Sequence, residues 1–175
     1  MLPFYPLTEF YARAARPLPT LEPLAPAAVP EPYRRLLVHG NDMTPTLEQF
    51  HGERIVLQLI HRHAEADGLA REVALTLVGS SKRVEYGAIL IHRAAFPEAA
   101  WEQVLGCRIP LGTLLAEHVL QHVSRPQAYF RVTADDHIRE ALGLEGDHLL
   151  YGRHNRLLTG DDLVIADVVE ILPPA

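Results

Sequence analysis

Arg71 is the first residue whose surroundings favour a specific chemistry. In the segment 71–78 (REVALTLV) it shares one predicted strand face with Val73, Leu75 and Leu77. If that face packs against the core, the guanidinium points inward, where its planar fork of N–H donors suits a small carboxylate. If the strand begins one or two residues later, the side chain extends to solvent along its apolar stem. The spacing alone leaves both interpretations open.

Two acids in the last predicted strand are the second candidate. Asp167 and Glu170 interrupt the apolar run 163–172, and because they are three residues apart they point to opposite strand faces. Burial raises the pKa of a carboxyl group toward the range that is useful for proton transfer. The alternative is an ion pair between one acid and an arginine of the stretch 152–156 (GRHNR). At least one of the two acids is therefore predicted to be buried.

The ten histidines raise the question of a metal site. His61 and His63 share one face of a predicted strand, and His118 and His122 lie four residues apart on a predicted helix. Either pair could supply two ligands. Neither pair has a third ligand at a recognisable spacing, and the HExxH pattern is absent. We therefore predict scattered surface histidines and no metal site.

Composition restricts the class of partner. The formal net charge of −6 disfavours DNA or RNA as the main partner, and the single Cys107 excludes a disulfide within the chain. The sequence has no signal-peptide pattern, no apolar run of membrane-spanning length and no GxGxxG or GxxxxGK[ST] fingerprint of a nucleotide cofactor. We expect a cytoplasmic protein without cofactor, nucleic acid or membrane contact, monomeric or weakly self-associating, that binds a small molecule.

Proline divides the chain. Eight of the 14 prolines lie in the first 32 residues, where they prevent a long helix. We predict an N-terminal proline-rich arm or strap over 1–32 and one folded domain over 33–175. Apolar runs in hairpins, with helices between them, indicate an α+β fold with a mostly antiparallel sheet flanked by helices. The predicted strands span 54–63, 71–78, 84–92, 149–158 and 163–172, and the predicted helices span 8–16, 33–38, 96–105, 113–122 and 132–142.

Four segments resemble, in this order, the chorismate pyruvate-lyase family, and together they extend over residues 36–174. They are Asp42-Met43-Thr44 with Leu47-Glu48, Arg71-Glu72-Val73 at a strand start, Pro110-Leu111-Gly112 at a helix entry, and Gly152-Arg153 to Thr159-Gly160 with a last strand ending in Glu170-Ile171-Leu172-Pro173-Pro174.

The resemblance implies a chorismate lyase-like fold and an enzyme that cleaves chorismate to 4-hydroxybenzoate, or a related hydroxybenzoate, and pyruvate. Such a lyase uses no cofactor or metal and serves the biosynthesis of ubiquinone or a secondary metabolite. Arg71 would hold a substrate carboxylate, and Glu170 would be the catalytic acid at the oxygen-bearing end of the ring. The spacing of the last hairpin differs from that of the family, which leaves Asp167 as the alternative acid.

The same resemblance assigns the remaining substrate contacts. Met43, Leu111 and Gly112 would surround the ring. Because chorismate is a dianion, a second cation is needed beside Arg71, and Arg153 or Arg156 is the candidate.

A second class of protein with this fold binds ligands without converting them. The fold resembles the small-molecule-sensing (UTRA) domain of bacterial transcription regulators, which usually follows a basic DNA-binding helix-turn-helix. The first 35 residues here are too short and too rich in proline for such a helix-turn-helix. We therefore expect the lyase, with a non-catalytic aromatic-acid-binding protein as the alternative.

Overall fold

One sheet of seven antiparallel strands organises the fold in the computed structural model, which describes residues 4–175. The strands are β1 (Leu21–Leu24), β2 (Ile55–Glu65), β3 (Gly68–Leu77), β4 (Arg83–His92), β5 (Val123–Thr133), β6 (Leu149–Leu158) and β7 (Val164–Leu172). Their order in the sheet is β1, β5, β6, β7, β4, β3, β2. This confirms the predicted α+β class with a mostly antiparallel sheet.

Helices cover both faces of the sheet. They are α1 (Leu7–Arg13), α2 (Tyr33–Leu37), α3 (Met43–His51), α4 (Glu98–Gly106), α5 (Leu111–Glu117) and α6 (Asp136–Leu142). The apolar core of what we call the first face includes Leu7 of α1 and Ile138 of α6. The second face is covered by α2 to α5. Within residues 4–175, no helix is long and apolar enough to cross a membrane.

Strand alternation distributes the polar residues between the two faces. Arg71 and Glu170 point to the second face, together with apolar neighbours, whereas Glu72 and Asp167 point to the first face. Across the sheet, Glu170 pairs with Gly87 of β4. The three-residue spacing of the two acids in β7 therefore does place them on opposite faces, as the sequence pattern predicts.

Two helices on the second face are brought together by a glycine. α3 begins directly after the extended residue Asp42, and α5 begins after the extended Pro110. A β-carbon on Gly112, near the start of α5, would lie 3.3 Å from the Thr44 hydroxyl oxygen. The missing side chain allows the first turns of the two helices to approach closely, above the end of the sheet that carries Arg71.

The edge strand β2 contains a bulge. Leu59 pairs with Val73 and His61 pairs with Glu72, so two steps along β2 correspond to one step along β3 and Ile60 is the additional residue. A bulge of this kind reverses the alternation of the strand beyond it. As a result His61 points to the first face, beside Glu72.

The sequence pattern does not predict β1 and β5. β5 contains Pro126, and the register with β6 shifts between Pro126 and Ala128. Several of its side chains are exposed, so the apolar alternation that marks the other strands is weak. The helix predicted over 132–142 begins only at Asp136, because the preceding residues belong to β5. α3, of nine residues, is absent from the helices that the sequence pattern predicts.

The proline-rich N-terminal segment lies against the sheet. β1 pairs with β5 from Leu21, opposite Val132, to Leu24, opposite Tyr129. α1 precedes it and buries Leu7, which is 0% exposed. The division of the chain at residue 32 stays a prediction.

Candidate functional site

Arg71 is buried without a carboxylate partner. Its side chain is 0% exposed, and Nη2 donates to the carbonyl oxygen of Ile109 at 3.3 Å. Its Nε and Nη1 have no hydrogen-bond acceptor among residues 4–175. The strand begins at Gly68, so Arg71 lies within it and the inward interpretation of its spacing is confirmed. A buried cation with two unused donors is costly unless an anion binds to it.

The electrostatics of Arg71 favour an anion further. Burial lowers the pKa of the guanidinium below its ordinary value, and the neighbouring Cys107 opposes part of that shift. An arginine nevertheless stays protonated at neutral pH in proteins. No carboxylate among residues 4–175 forms an ion pair with Arg71, so its charge remains for a bound anion to balance.

A cavity opens in front of Arg71 on the second face. Its free volume is about 40 Å³, and the larger space of about 490 Å³ around it includes open solvent at the mouth. α3 and α5 form its roof, and strands β2, β3, β4, β6 and β7 form its floor. The apolar side chains that line it are Met43, Leu57, Val73, Leu75, Ile89, Pro110, Leu111, Leu157 and Val168, and the polar ones are Asp42, Thr44, Arg71, Glu85, Asn155 and Glu170, with Gly112 at the roof.

Two further polar side chains of this cavity have atoms without a partner. Oε2 of Glu85 and Oδ1 of Asn155 are buried and accept no hydrogen bond within the described chain, although Asn155 Nδ2 donates to Ser124 Oγ at 2.8 Å. Burial raises the pKa of Glu85 well above 4.5, the Glu170 carboxylate raises it further, and Arg153 opposes them. Burial therefore favours the neutral form of Glu85, which can donate or accept a hydrogen bond.

Glu170 lines the same cavity but is bound to another arginine. Its Oε2 accepts a hydrogen bond from Nε of Arg153, which is 0% exposed. The remaining donors of Arg153 reach the backbone carbonyls of Leu37 and Asn41, at 3.3 and 3.2 Å, and that of His39. Burial lowers the pKa of Arg153, but the Glu170 carboxylate outweighs burial and the pKa is raised overall. The donors of Arg153 are thus engaged by the protein itself.

Asp167 and Arg156 lie on the other face of the sheet. Asp167 is 0% exposed, and it accepts a hydrogen bond from Arg156 Nε at 2.8 Å and lies 3.3 Å from His92 Nε2. Burial alone would raise the pKa of Asp167, but His92 and Arg156 lower it below 3.8. Neither residue lines the Arg71 cavity.

Gly87 allows two residues of the cavity lining, Glu85 and Val73, to pack closely beside it. A β-carbon at this position would lie 3.2 Å from Glu85 Oε1 and 3.3 Å from Val73 Cγ2. Gly87 lies between Val73 of β3 and Glu170 of β7 in the sheet. The absent side chain provides space beside the polar groups of the cavity.

The structure brings together five of the residues predicted for the site and separates three. Arg71, Met43, Leu111, Gly112 and Glu170 line one cavity, whereas Arg153 lies behind Glu170, and Arg156 and Asp167 lie on the first face. Their roles toward a ligand stay predictions. The sequence reasoning missed Glu85, Gly87 and Asn155. The alternation of Glu85 with Gly87, Ile89 and Ile91 in β4 repeats the signal that identified Arg71 and could have revealed Glu85.

Comparison with known proteins gives the fold. No protein-family model and no curated protein sequence matches this chain. The effector domain of PhnF from Mycobacterium smegmatis is similar with a TM-score of 0.56 and 14% identity, over 86% of this chain and 91% of that domain. The ligand-binding domain of a protein assigned to the GntR family of transcriptional regulators, from Bordetella bronchiseptica, has a TM-score of 0.53 and 14% identity, over 69% of this chain and 84% of that domain.

A longer PhnF structure from the same organism is similar with a TM-score of 0.56 and 13% identity; the match takes 75% of this chain and 63% of PhnF. The fold is therefore one found in the ligand-binding domains of GntR-family transcriptional regulators, which share the chorismate lyase-like architecture.

The prediction that this chain is a chorismate pyruvate-lyase is wrong. The similar structures named above are a ligand-binding domain, an effector domain and a longer PhnF structure, and none of them is a lyase. The physical reason is that a buried arginine and an apolar pocket, the residues behind the prediction, suit a binding site as well as an active site and do not by themselves indicate a reaction. In addition, Arg153 and Arg156 both bind acids of the protein and lie outside the cavity that Arg71 lines.

Proposed function

We propose that this chain binds a small carboxylic acid in the Arg71 cavity and releases it unchanged, as a ligand-sensing domain of the kind found in transcriptional regulators. The observation that carries the proposal is the buried guanidinium of Arg71, with Nε and Nη1 lacking an acceptor among the described residues. A carboxylate would accept both hydrogen bonds and balance the charge.

The rest of the cavity favours an acid with a flat apolar body. Aliphatic side chains from α3, α5 and the sheet line most of it. The unpaired Oδ1 of Asn155 accepts hydrogen bonds only, and the neutral Glu85 can either donate or accept one. A hydroxyl or amino group on the ring would satisfy these two residues. Hydroxybenzoates and aminobenzoates therefore represent the class of ligand that we propose.

The experiment is a calorimetric titration with 4-hydroxybenzoate, with 4-hydroxybenzamide as a neutral ligand of the same shape. We expect the acid to bind, the amide to bind at least about tenfold more weakly, and the acid to be recovered unchanged by chromatography, because hydrogen bonds to charged groups contribute about 1.5–3 kcal/mol each. Arg71→Met should abolish the preference for the acid.

The matched control is Arg125→Met. Arg125 is an exposed arginine that pairs with Asp162 at 2.9 Å and does not line the cavity. Its replacement should leave the affinity unchanged. Equal affinity of the acid and the amide, or unchanged binding of the acid by Arg71→Met, would refute the proposed function.

A further inference from the structure

We propose that His61, Glu72 and His137 form a binding site for a late first-row divalent cation such as Zn²⁺. The three residues lie on the first face of the sheet, on the side opposite the Arg71 cavity. One ligand atom from each lies within 4.8 Å of the other two. Two imidazoles and one carboxylate are a ligand set that zinc accepts, with further positions left for water. The inference does not depend on the proposed carboxylate binding.

The carboxylate of Glu72 is the centre of the cluster. Its Oε2 lies 2.9 Å from His61 Nδ1 and its Oε1 lies 2.8 Å from His137 Nε2. In a tetrahedral site with metal–ligand bonds of about 2.0–2.1 Å, ligand atoms lie about 3.3 Å apart. A bound cation would therefore lengthen each of the two Glu72–histidine distances by about half an ångström. It would also bring the two histidine nitrogens, which lie within 4.8 Å of each other, to about the same separation.

The surroundings of Glu72 prepare it as a ligand. Burial raises the pKa of its carboxyl, but hydrogen bonds from His137, Tyr86 and His61 outweigh burial and lower the pKa below 4.5, so the group is an anion at neutral pH. The Tyr86 hydroxyl donates to Oε1 from a fully buried position. Such an outer hydrogen bond orients a metal-binding carboxylate.

The cluster is accessible from solvent. The side chain of His61 is 58% exposed, whereas that of Glu72 is 3% exposed. Two open clefts adjoin the cluster, and His61 and His137 line both of them. The bulge in β2 turns the His61 side chain toward Glu72. Because this side chain is largely exposed, few packing contacts hold it there. A cation could thus enter and retain bound water.

Arg16 competes with the cation. Its Nη1 lies 2.5 Å from His137 Nδ1. Because an arginine only donates, Nδ1 must accept and the proton of the neutral ring must sit on Nε2, the nitrogen that faces Glu72. Metal binding requires the opposite tautomer, in which Nε2 is free of its proton. The exposed Arg16 side chain therefore has to leave when the metal binds.

This competition gives a gain-of-binding test. Arg16→Gln replaces a donor with a side chain whose amide oxygen can accept from Nδ1–H, which stabilises the metal-binding tautomer. We expect Arg16→Gln to bind Zn²⁺ several-fold more tightly than the unaltered chain. Equal or weaker binding by this variant would overturn the assignment of His137 Nε2 as a ligand.

The loss-of-binding test is a calorimetric titration of the untagged full chain with Zn²⁺ at pH 7, with Mg²⁺ as the comparison cation. We expect one Zn²⁺ per chain at this site, proton release on binding, and no comparable response to Mg²⁺, which prefers oxygen ligands. His61→Ala should weaken Zn²⁺ binding more than tenfold, because even an outer partner of a ligand is worth about tenfold.

His118→Ala is the matched control, because His118 contacts Gln103 and lies outside the cluster. It should bind Zn²⁺ as the unaltered chain does, and so should Arg71→Met. His61 is exposed, so its replacement should not alter the circular dichroism spectrum or the melting temperature of the metal-free protein. Absence of Zn²⁺ binding, or the same affinity in His61→Ala, would overturn the proposal.

Discussion

Arg153 donates a hydrogen bond from Nε to the carboxylate of Glu170, and both side chains are buried on the second face of the sheet. Because Glu170 pairs with Arg153, it is not the ion-pair partner of Arg71. The pair also connects β7 to the segment 37–41 through backbone carbonyls that Arg153 holds. Behind the cavity, the donors of Arg153 are engaged by the protein, whereas Arg71 in the cavity lining keeps Nε and Nη1 without an acceptor among residues 4–175.

Removal of Glu170 should destabilise the protein. Glu170→Leu leaves Arg153 buried without its acid, which costs about 3–5 kcal/mol in comparable pairs. We expect the free energy of unfolding, measured in urea, to fall by about that amount. The double variant Arg153→Met/Glu170→Leu should lose less than the sum of the two single losses, because the two side chains interact directly. Strict additivity of the two losses would contradict this expectation.

Removal of Arg71 should stabilise the ligand-free protein. The guanidinium is buried with Nε and Nη1 unpaired among residues 4–175, and each buried unsatisfied group costs about 1–3 kcal/mol. Arg71→Met retains much of the apolar stem and should raise the free energy of unfolding by about 1–3 kcal/mol. Arg125→Met serves as the surface control and should change it by less than about 0.5 kcal/mol. A loss of stability in Arg71→Met would show that the charge is balanced within the protein.

Glu85 should make stability depend on pH. Its pKa in the folded state lies well above the ordinary value of 4.5, because of burial and the nearby Glu170. The folded state therefore holds a proton that the unfolded state releases, so this group favours folding at low pH and its contribution falls as the pH rises above about 4.5. Glu85→Gln cannot ionise. Its stability relative to the unaltered chain should increase from pH 4.5 to pH 8 in urea unfolding, and a constant difference would contradict the assignment of a neutral Glu85.

A side chain at Gly87 should obstruct the cavity. The β-carbon of Gly87→Ala would lie 3.2 Å from Glu85 Oε1 and force that carboxyl to move. We expect the affinity for 4-hydroxybenzoate to fall about tenfold or more in calorimetry. Gly160→Ala is the matched control, since nothing lies within 4 Å of its β-carbon. If both variants bind alike, Gly87 does not shape the ligand site.

Asp167 should be irrelevant to the carboxylate ligand, because it lies on the first face with Arg156 and His92. Asp167→Asn should keep the affinity for 4-hydroxybenzoate and lose stability instead. The lowered pKa of Asp167 means that its contribution is present above about pH 3.8 and disappears as the pH falls, so the stability difference should shrink in acid. Weaker binding of 4-hydroxybenzoate by Asp167→Asn would show that the ligand depends on Asp167 of the first face, contrary to the proposed site.

Alternation along single strands made much of the cavity predictable from the sequence. It placed Arg71 on an apolar face and separated Asp167 from Glu170, because a strand repeats every two residues. It could not show that Arg153 binds Glu170 rather than a ligand. That pairing depends on the register between β6 and β7, in which Arg153 lies opposite Glu170.

The cluster of His61, Glu72 and His137 could not be predicted from residue spacing in the sequence. His137 is 65 residues from Glu72 in the chain and reaches it only because α6 packs on the first face. His61 reaches Glu72 because of the bulge in β2, and bulges leave no reliable mark in the apolar pattern. The spacing of His61 and His63 in the sequence therefore could not indicate that Glu72 and His137 lie beside His61.

The bulge and the proline-rich segment also protect the two edges of this sheet from pairing with strands of other molecules. Open strand edges attract further strands and promote aggregation, and proteins protect them with bulges, charges and proline. At one edge, β1 is only four residues long and contains Pro23, which has no N–H to donate. At the other edge, β2 carries its bulge beside His61, Arg62 and His63. A chain cut at residue 32 would uncover the edge of β5 from Tyr129 to Val132, and we expect it to lose solubility.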